Sequence, residues 1–241
     1  MLNLNPVKLS VIIPCFNESQ NVPELLKKLE KIRENVYEVI LVDNGSTDDT
    51  HDILNKELNS QKYRFIRVLR VKKNIGYGNG IMMGVYAAKG EVIAWTHADL
   101  QTDPGDIIGA FDLYINTINY QNYFLKGKRI GRNKVDTFFT WGMSILSSLI
   151  LKVKLFDINA QPKMFHYSFL NKLKHPPDDF SLDLYFLYKA TINNIKLIEF
   201  PVNFGTRIYG DAKGGGTFKG KLKLVKRTWS YMIKLKKQLD N

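Results

Sequence analysis

Four polar side chains follow a short apolar run near the middle of the chain. The run, residues 92–96, has the length and composition of a buried strand. The polar residues after it are His97, Asp99, Gln101 and Asp103. Hard divalent cations take oxygen ligands from carboxylates and amides and usually keep places for water and substrate phosphates. Asp99 and Gln101 therefore predict a cation site at the end of this strand, unless Asp99 only caps the helix that follows.

Two earlier predicted strands end in the same kind of polar turn. Residues 9–14 lead into PCFNES, and residues 38–42 stop at a DNGS turn that begins with Asp43. Strands that alternate with helices at this spacing favour a parallel α/β sheet, and such sheets bind ligands beyond the carboxyl ends of their strands. We therefore expect the strand ends at Pro14, Asp43 and Thr96 to face one crevice.

Glycines cluster after a third predicted strand, residues 65–71. They are Gly76, Gly78, Gly80 and Gly84. Repeated glycine at a strand-to-helix junction either lets a helix N-terminus approach a phosphate or allows close packing of the helix on the sheet. The first strand lacks the glycine-rich turn that binds dinucleotides, which argues against a dinucleotide-binding fold.

Charged residues of both signs mark the last third of the chain. Three carboxylates near the start of a predicted helix are Asp178, Asp179 and Asp183. Carboxylates in that position either complement the helix dipole or take part in the reaction. A last predicted strand, residues 197–204, leads into GTRIYGDAKGGG, in which glycines flank Arg207 and Lys213. Such a loop suits closure over phosphate oxygens; the alternative is a solvated basic loop.

Composition bounds the class of protein. The chain has 241 residues, of which 44% are hydrophobic and 24% charged, as expected for one large domain or a domain with an appendage. Its net charge of +12 favours polyanionic partners such as phosphorylated substrates or anionic lipid, and no recognised nucleic-acid motif accompanies that charge. A single cysteine, Cys15, excludes an internal disulfide. The N-terminal sequence does not match a signal peptide, so we expect a cytoplasmic location.

The C-terminal segment combines apolar residues at helical spacing with many lysines. The apolar positions are Leu222, Val225, Trp229, Met232 and Ile233. A basic amphipathic helix of this kind either lies on an anionic membrane or packs its apolar stripe on the rest of the protein. The apolar window at residues 138–151 is too short to cross a bilayer and predicts a packed or interfacial helix.

Five segments together resemble the family 2 glycosyltransferases with the GT-A fold, in particular the dolichol-phosphate mannose synthases and other polyprenyl-phosphate glycosyltransferases. SVIIPCFNE is similar to the family's opening strand and its P-x-x-N-E, and LVDNGSTDDT to its V-D-D-G-S-x-D-x-T. NIGYGNGIMMG is similar to N-x-G-x-G-x-A-x-x-x-G, and HADLQTDP to D-A-D-L-Q-x-x-P. FPVNFGTRIYGDAKGG resembles the P-x-x-F-x-x-R-x-x-G-x-S-K of the prenyl-phosphate branch. The resemblance covers nearly the whole chain.

The resemblance implies a Rossmann-like α/β fold with a mostly parallel central sheet flanked by helices. We expect residues 1–204 to form the GT-A catalytic domain and residues 205–241 to form a basic acceptor loop and a C-terminal amphipathic helix. The implied contacts to the base and ribose of a nucleotide sugar are Pro14, Phe16, Glu18 and Asp43. The donor site further includes Gly76, His97 and Ala98.

The same resemblance assigns roles in the reaction. Asp99 and Gln101 are the implied ligands of Mg²⁺ or Mn²⁺ against the donor diphosphate. Arg129, Arg207 and Lys213 are implied around phosphate groups of the donor or the lipid acceptor. Together with the carboxylate of Asp183 considered above, we predict Asp99, Arg129, Asp183, Arg207 and Lys213 as the catalytic residues. A cation, Arg and Lys suit a departing nucleoside diphosphate because they offset its developing negative charge.

Three departures from the family pattern concern the expected site. His97 replaces the first aspartate of D-x-D, Asn44 replaces the second aspartate of D-D-G-S, and Ala212 replaces the serine of the last motif. His97 either contacts the cation or diphosphate, or is a neutral spacer. The lost carboxylate is expected to weaken cation binding or to change the donor contacts.

The expected reaction moves a sugar, with inversion, from a nucleoside diphosphate sugar to a polyprenyl phosphate at the cytoplasmic face of a membrane. A phosphate acceptor is largely ionised near neutral pH and needs little help from a base, whereas a hydroxyl acceptor needs one. One alternative is therefore transfer to a sugar hydroxyl of a surface polysaccharide, with Asp178, Asp179 or Asp183 as the base. Another is a nucleotide-sugar-binding relative with weakened catalysis.

Overall fold

A seven-stranded sheet forms the centre of the protein. The computed structural model describes residues 6–131, 134–207, 209 and 218–239. Within these ranges the strands are β1 (Leu9–Cys15), β2 (Glu38–Asp43), β3 (Ile66–Arg70), β4 (Val92–Trp95), β5 (Tyr123–Ile130), β6 (Lys163–His166) and β7 (Lys196–Asn203). Their spatial order is β3-β2-β1-β4-β6-β5-β7. Only β6 runs antiparallel to its neighbours in this part of the chain, so the mostly parallel sheet that we predicted is confirmed.

Helices flank both faces of this sheet. They are α1 (Val22–Glu30), α2 (Thr50–Leu58), α3 (Tyr77–Ala87), α4 (Asp106–Ile115), α5 (Lys134–Leu151), α6 (Leu182–Ile192) and α7 (Phe218–Leu239). Successive side chains of a strand point to opposite faces, and β1 accordingly contributes to two cores. Val11 belongs to a core that contains Leu25 of α1. Ile12 belongs to a second core with Val85 of α3 and Phe186 of α6.

Two details of the sheet differ from the sequence prediction. β6 was not predicted, because it is only four residues long and begins with a lysine, which is rarely buried. β5 continues through Ile130, although the sequence of residues 127–129, a glycine followed by two basic residues, predicts a turn. That segment pairs with β7 throughout, and Glu199 of β7 lies 2.8 Å from Lys126 Nζ and 3.2 Å from Lys128 Nζ. Cross-strand charge pairing therefore lets a basic segment remain in the sheet.

Helix α7 packs against the domain. Met232 and Leu235 are buried in the second core, whereas Leu222 and Trp229 remain exposed. The apolar stripe predicted for this segment is therefore divided between packing and the surface. Among the described residues, no helix combines the length and apolarity needed to cross a membrane.

Candidate functional site

Three parallel strands deliver the predicted site residues to one edge of the sheet. β1 lies between β2 and β4. The backbone N–H of Asn44 donates to Cys15 O at 2.8 Å, and that of Thr96 donates to Ile12 O at 3.1 Å. These bonds join the segments that leave the three strands. The three strand ends therefore lie side by side at one edge of the sheet, as predicted, and the ligand crevice expected at this edge stays a prediction.

Arg207 bridges two carboxylates at this edge. Its Nη2 donates to Asp99 Oδ2 at 2.6 Å, and its Nη1 lies 3.7 Å from Glu18 Oε1. Asp99 follows β4 and Glu18 follows β1, so the guanidinium joins two strand ends. The side chain of Arg207 is 17% exposed, and those of Asp99 and Glu18 are about as well shielded. The arrangement brings together three of the residues that the family resemblance singled out.

Gln101 holds the chain segment that carries Arg207. Its side-chain Nε2 donates to Gly205 O at 3.2 Å, and Gly205 N donates to Gln101 O at 2.8 Å. Gln101 N also donates to Asp99 Oδ1 at 3.2 Å. Both predicted cation ligands are therefore in contact with residues 205–207.

The predicted base and ribose contacts lie at or just beyond the carboxyl ends of β1 and β2. Asp43 is fully buried; its Oδ1 accepts from Ser46 N at 2.9 Å. Its Oδ2 lies 3.1 Å from His51 Nδ1 and 3.7 Å from Arg70 Nε. Pro14 and Phe16 are half-buried, and they flank Cys15, the residue of β1 that pairs with Asp43 of β2. His51 and Arg70 were not predicted, because an isolated histidine and a strand-end arginine carry no motif.

Glu18 is fixed independently of Arg207. Its backbone N–H donates to Thr50 Oγ1 at 2.8 Å, and its Oε2 accepts from Asn21 Nδ2 at 2.6 Å. Thr50 begins α2. The segment after β1 is therefore tied to the start of α2, which holds the Glu18 carboxylate at the crevice.

The glycines at the start of α3 allow two segments to approach closely. A Cβ added at Gly76, where φ is +152°, would lie 2.1 Å from Asp178 O, and one at Gly78 would lie 2.2 Å from Pro177 O. Asn79 N donates to Asp178 O at 2.9 Å. Close packing therefore accounts for these glycines, and the donor contact expected of Gly76 stays a prediction.

His97 lies at the end of a row of aromatic side chains. Its ring centroid is 5.8 Å from that of Tyr77, and Tyr77 is stacked on Phe180 at 4.7 Å with an interplanar angle of 5°. The guanidinium of Arg227 in α7 lies 4.7 Å from the Phe180 ring centroid. Ala98, next to His97, is buried. The row connects the C-terminal helix to the residue that replaces the family's aspartate.

Asp183 lies in a buried polar network. Its Oδ1 accepts from Lys163 Nζ at 2.7 Å and from Gln161 Nε2 at 3.0 Å. Gln161 Nε2 is also 3.3 Å from Tyr77 Oη. Burial lowers the pKa of Lys163, although the nearby Asp183 carboxylate acts in the opposite direction. Burial, followed by the charge of Asp183, raises the pKa of Tyr77 well above its usual value. These contacts favour a structural role for Asp183, and its catalytic role stays a prediction.

Arg129 is paired with Asp157. Arg129 Nε donates to Asp157 Oδ1 at 2.9 Å, the Nη2 group also donates to Oδ1, and the backbone N–H donates to Oδ2 at 2.9 Å. Burial opposes ionisation of Asp157, but the bonds and charge of Arg129 hold its pKa below the usual value. The expected phosphate contact of Arg129 stays a prediction. Lys213 lies outside the described residues.

The two predicted ligands after β4 fit a hard cation whose remaining ligands come from the substrate. Asp99 offers a buried carboxylate and Gln101 an amide two residues later. The described residues contain no cluster of three or more His, Cys, Asp or Glu that could hold a metal by itself. Mg²⁺ and similar ions are commonly bound through one or two carboxylates plus substrate phosphates. Asp99 and Gln101 are consistent with that mode.

The sequence also matches a family model described as glycosyl transferase family 2, over residues 10–173. The chain belongs to this family. The match contains the three strand ends, Asp99 and Gln101, so the resemblance read from the motifs is confirmed. Arg207 lies beyond the matched residues.

Two curated relatives are transferases by name. The chain is 38% identical over 106 residues to an undecaprenyl-phosphate 4-deoxy-4-formamido-L-arabinose transferase of Pseudomonas syringae pv. syringae, covering 42% of this chain and 31% of the relative. It is 29% identical over 182 residues to a dodecaprenyl-phosphate galacturonate synthase of Rhizobium johnstonii, covering 70% and 50%. The alignments thus span at most half the length of these two relatives.

The fold is shared with solved glycosyltransferases. Glucosyl-3-phosphoglycerate synthase of Mycobacterium tuberculosis, solved with Mn²⁺, UDP and phosphoglyceric acid, superposes with a TM-score of 0.72 at 16% identity. The superposition covers 96% of this chain and 78% of that one. This family member therefore has the GT-A fold.

Proposed function

We propose that the protein transfers a sugar from a nucleoside diphosphate sugar to a polyprenyl phosphate, with inversion. The observation that carries this proposal is the meeting of Asp99, Gln101 and Arg207 at the carboxyl ends of the parallel strands. A carboxylate and an amide suited to a cation stand next to a guanidinium suited to phosphate. The names of the curated relatives support a polyprenyl phosphate as the acceptor.

The donor is proposed to lie along the crevice. Asp43 and Glu18, both buried and held by hydrogen bonds, are proposed to orient the ribose and base. The remaining proposed donor contacts are Pro14, Phe16, Gly76, His97 and Ala98. Asp99 and Gln101 would hold Mg²⁺ or Mn²⁺, which when bound offsets the charge that develops on the leaving diphosphate.

The acceptor is proposed to present an ionised phosphate oxygen to the sugar. Arg207 binds and orients that phosphate through charge-assisted hydrogen bonds, and Arg129 and Lys213 are proposed to contribute further positive charge. An ionised phosphate requires no general base. This agrees with Asp183 being paired with Lys163 rather than placed at the crevice surface.

Peripheral contact with the cytoplasmic face of an anionic membrane is part of the proposal. Residues 205–241 are proposed to serve as an acceptor loop and helix attached to a catalytic domain of residues 1–204.

Helix α7 packs on α5, where Ile145 and Leu149 are exposed one helical turn apart. Trp141 and Trp229 add exposed aromatic surface. Among the side chains of α7 that the structure describes, those of Lys226, Lys234 and Lys236 are exposed lysines. Apolar side chains beside lysines suit an anionic bilayer surface.

The test is a transfer assay with purified protein. A panel of labelled nucleotide sugars is offered with Mg²⁺ or Mn²⁺ and a short polyprenyl phosphate. One donor is expected to yield lipid-linked sugar, and Asp99→Asn is expected to lower the rate about 100-fold, as for loss of one group that stabilises a developing charge. Asp112→Asn, at an exposed position of α4, removes one carboxylate elsewhere as the control. Transfer that survives Asp99→Asn unchanged would refute the assignment.

A further inference from the structure

Residues 205–207 contact both proposed cation ligands, and Arg207 takes up an oxygen of Asp99. Arg207 Nη2 lies 2.6 Å from Asp99 Oδ2, and Gly205 O accepts from Gln101 Nε2 at 3.2 Å. The second guanidinium nitrogen, Nη1, lies 3.7 Å from Glu18 Oε1. The positive charge of Arg207 therefore stands between two carboxylates at the place where a divalent cation would be attracted.

One donor of Arg207 is not used in this position. Its Nε is buried and has no hydrogen-bond partner within the described part of the chain. Buried donors are normally hydrogen-bonded, so an unsatisfied one calls for an explanation. An arginine that faces a phosphate can use Nε together with an Nη group in a forked pair of bonds. The side chain is thus only partly satisfied on Asp99 and Glu18.

Arg207 and a cation that both bind Asp99 Oδ2 would place two positive charges next to each other. A carboxylate ligand approaches Mg²⁺ to about 2.0–2.1 Å, and Arg207 Nη2 is already 2.6 Å from the same oxygen. Two positive groups on one oxygen would repel each other strongly in this shielded place. Gln101 is tied to the same segment through Nε2, whereas a cation would bind its Oε1.

We propose that Arg207 and the divalent cation compete for Asp99, so that Arg207 is released only when the cation enters with the donor. Released Arg207 then uses Nε and an Nη group on the acceptor phosphate. The consequence is an order of binding in which the donor precedes the acceptor. This inference rests on the proposed function for the identity of the two substrates, whereas the competition itself can be measured without any transfer.

The first test measures Mn²⁺ binding by electron paramagnetic resonance in the absence of sugar donor. Arg207→Ala is expected to bind Mn²⁺ about tenfold more tightly than the unmodified chain, which corresponds to about 1.4 kcal/mol. Arg33→Ala removes the same charge from an exposed pair with Glu34 and is expected to leave the affinity unchanged. Asp99→Asn is expected to abolish the gain when combined with Arg207→Ala. Equal or weaker binding by Arg207→Ala, with an unchanged thermal melt, would overturn the competition.

The second test follows Arg207 directly. The Nε–Hε resonance of Arg207 is assigned by its loss in Arg207→Lys, and MgCl₂ is then titrated with inorganic pyrophosphate as a probe of the donor diphosphate. The resonance is expected to shift in step with Mg²⁺ binding, because Arg207 leaves Asp99. A resonance that stays in place at saturation would overturn the proposal. Failure of the transfer assay with both of these results intact would count against the proposed function alone.

Discussion

Lys163 Nζ lies 2.7 Å from Asp183 Oδ1 in the interior of the protein, where the two side chains are 0% and 4% exposed. Lys163 also donates to Ile158 O at 2.8 Å and to Ala160 O at 3.0 Å. The ammonium group thus makes three hydrogen bonds, as many as it can. Because Gln161 links Asp183 to Tyr77 beside His97, this pair supports one wall of the crevice.

Removal of Lys163 alone is expected to be costly. Lys163→Met leaves the Asp183 carboxylate buried without its counter-ion, and breaking a buried pair in this way costs about 3–5 kcal/mol. Replacing both partners with apolar residues avoids the isolated charge, so Lys163→Met with Asp183→Leu is expected to recover most of the loss. Urea unfolding of the three variants measures the free energies. A double variant that is as unstable as the sum of the single variants would show that the two residues do not act as a pair.

The pair of Arg129 and Asp157 predicts a pH dependence of stability. Arg129 lowers the pKa of Asp157 below its usual value of 3.8. A carboxyl group whose pKa is lower in the folded state stabilises the protein above its unfolded pKa, and the stabilisation is lost as the pH falls through the folded value. Asp157→Asn is therefore expected to cost about 2 kcal/mol at pH 7, and the difference from the unmodified chain should shrink below about pH 4.

Urea unfolding at several pH values between 3 and 7 checks this expectation. Asp112→Asn is the control, because Asp112 lies at an exposed position of α4. A difference between Asp157→Asn and the unmodified chain that stays constant down to pH 3 would mean that the Asp157 carboxylate is not the source of the stabilisation.

The sequence predicts the part of the site that follows regular strands. Asp43 directly follows one apolar run and Asp99 lies three residues beyond another, and the alternation of strands with helices is enough to place the strand ends together. The partners of these groups are harder to predict, because they come from distant segments. Arg207 was expected near phosphate, but its bond to Asp99 joins residues 108 positions apart.

The buried network escaped prediction for a related reason. Lysine is almost never fully buried unless it is paired, so a strand that begins with Lys163 gives no sign of being internal. Asp183 was expected either to complement the helix dipole or to take part in the reaction, and its position near a helix start does not show which side of the helix faces the core. Only the packing of α6 against β6 brings Lys163 and Asp183 together.

Gly76 is expected to tolerate no side chain. A Cβ there would lie 2.1 Å from Asp178 O, and the φ of +152° is unfavourable for alanine. Gly76→Ala is expected to destabilise the protein by about 3 kcal/mol or to displace the segment that carries Asp178. A Cβ at Gly142 in α5 would meet no heavy atom within 4 Å, so Gly142→Ala should be neutral or stabilise by about 0.5–1 kcal/mol.

Thermal and urea unfolding of the two glycine variants provide the comparison. Gly76→Ala is also expected to affect function, because the segment that carries Asp178 contacts the start of α3 near Tyr77 and His97. Equal stability of Gly76→Ala and Gly142→Ala would show that residues 177–179 can move away without cost.

The proposed membrane surface predicts a loss of liposome binding on polar substitution. Ile145 and Leu149 are 40% and 73% exposed on α5, and insertion of such side chains into a bilayer interface is driven by burial of apolar area. Ile145→Ser with Leu149→Ser is expected to weaken binding to anionic liposomes about tenfold or more. Ile118→Ser is the control, since Ile118 is 84% exposed but lies beyond the end of α4.

Co-sedimentation with liposomes that contain anionic lipid, and with liposomes of neutral lipid only, measures the loss of binding. The unmodified chain is expected to bind the anionic liposomes more tightly because of the lysines of α7, and added salt should weaken that preference. Identical binding by the α5 double variant and by Ile118→Ser would place the contact elsewhere on the protein.

The two loop aspartates distinguish a phosphate acceptor from a hydroxyl acceptor. Asp178 is exposed, and Asp179 accepts from Ser181 N at 2.8 Å while lying 3.7 Å from Arg227 Nε. With a polyprenyl phosphate acceptor no general base is needed, so Asp178→Asn with Asp179→Asn is expected to keep kcat within about threefold. Asp183 is left unchanged in this variant, because its loss would disturb the buried pair with Lys163. A fall in kcat of about 100-fold or more, restored at high pH, would instead indicate a base acting on a sugar hydroxyl.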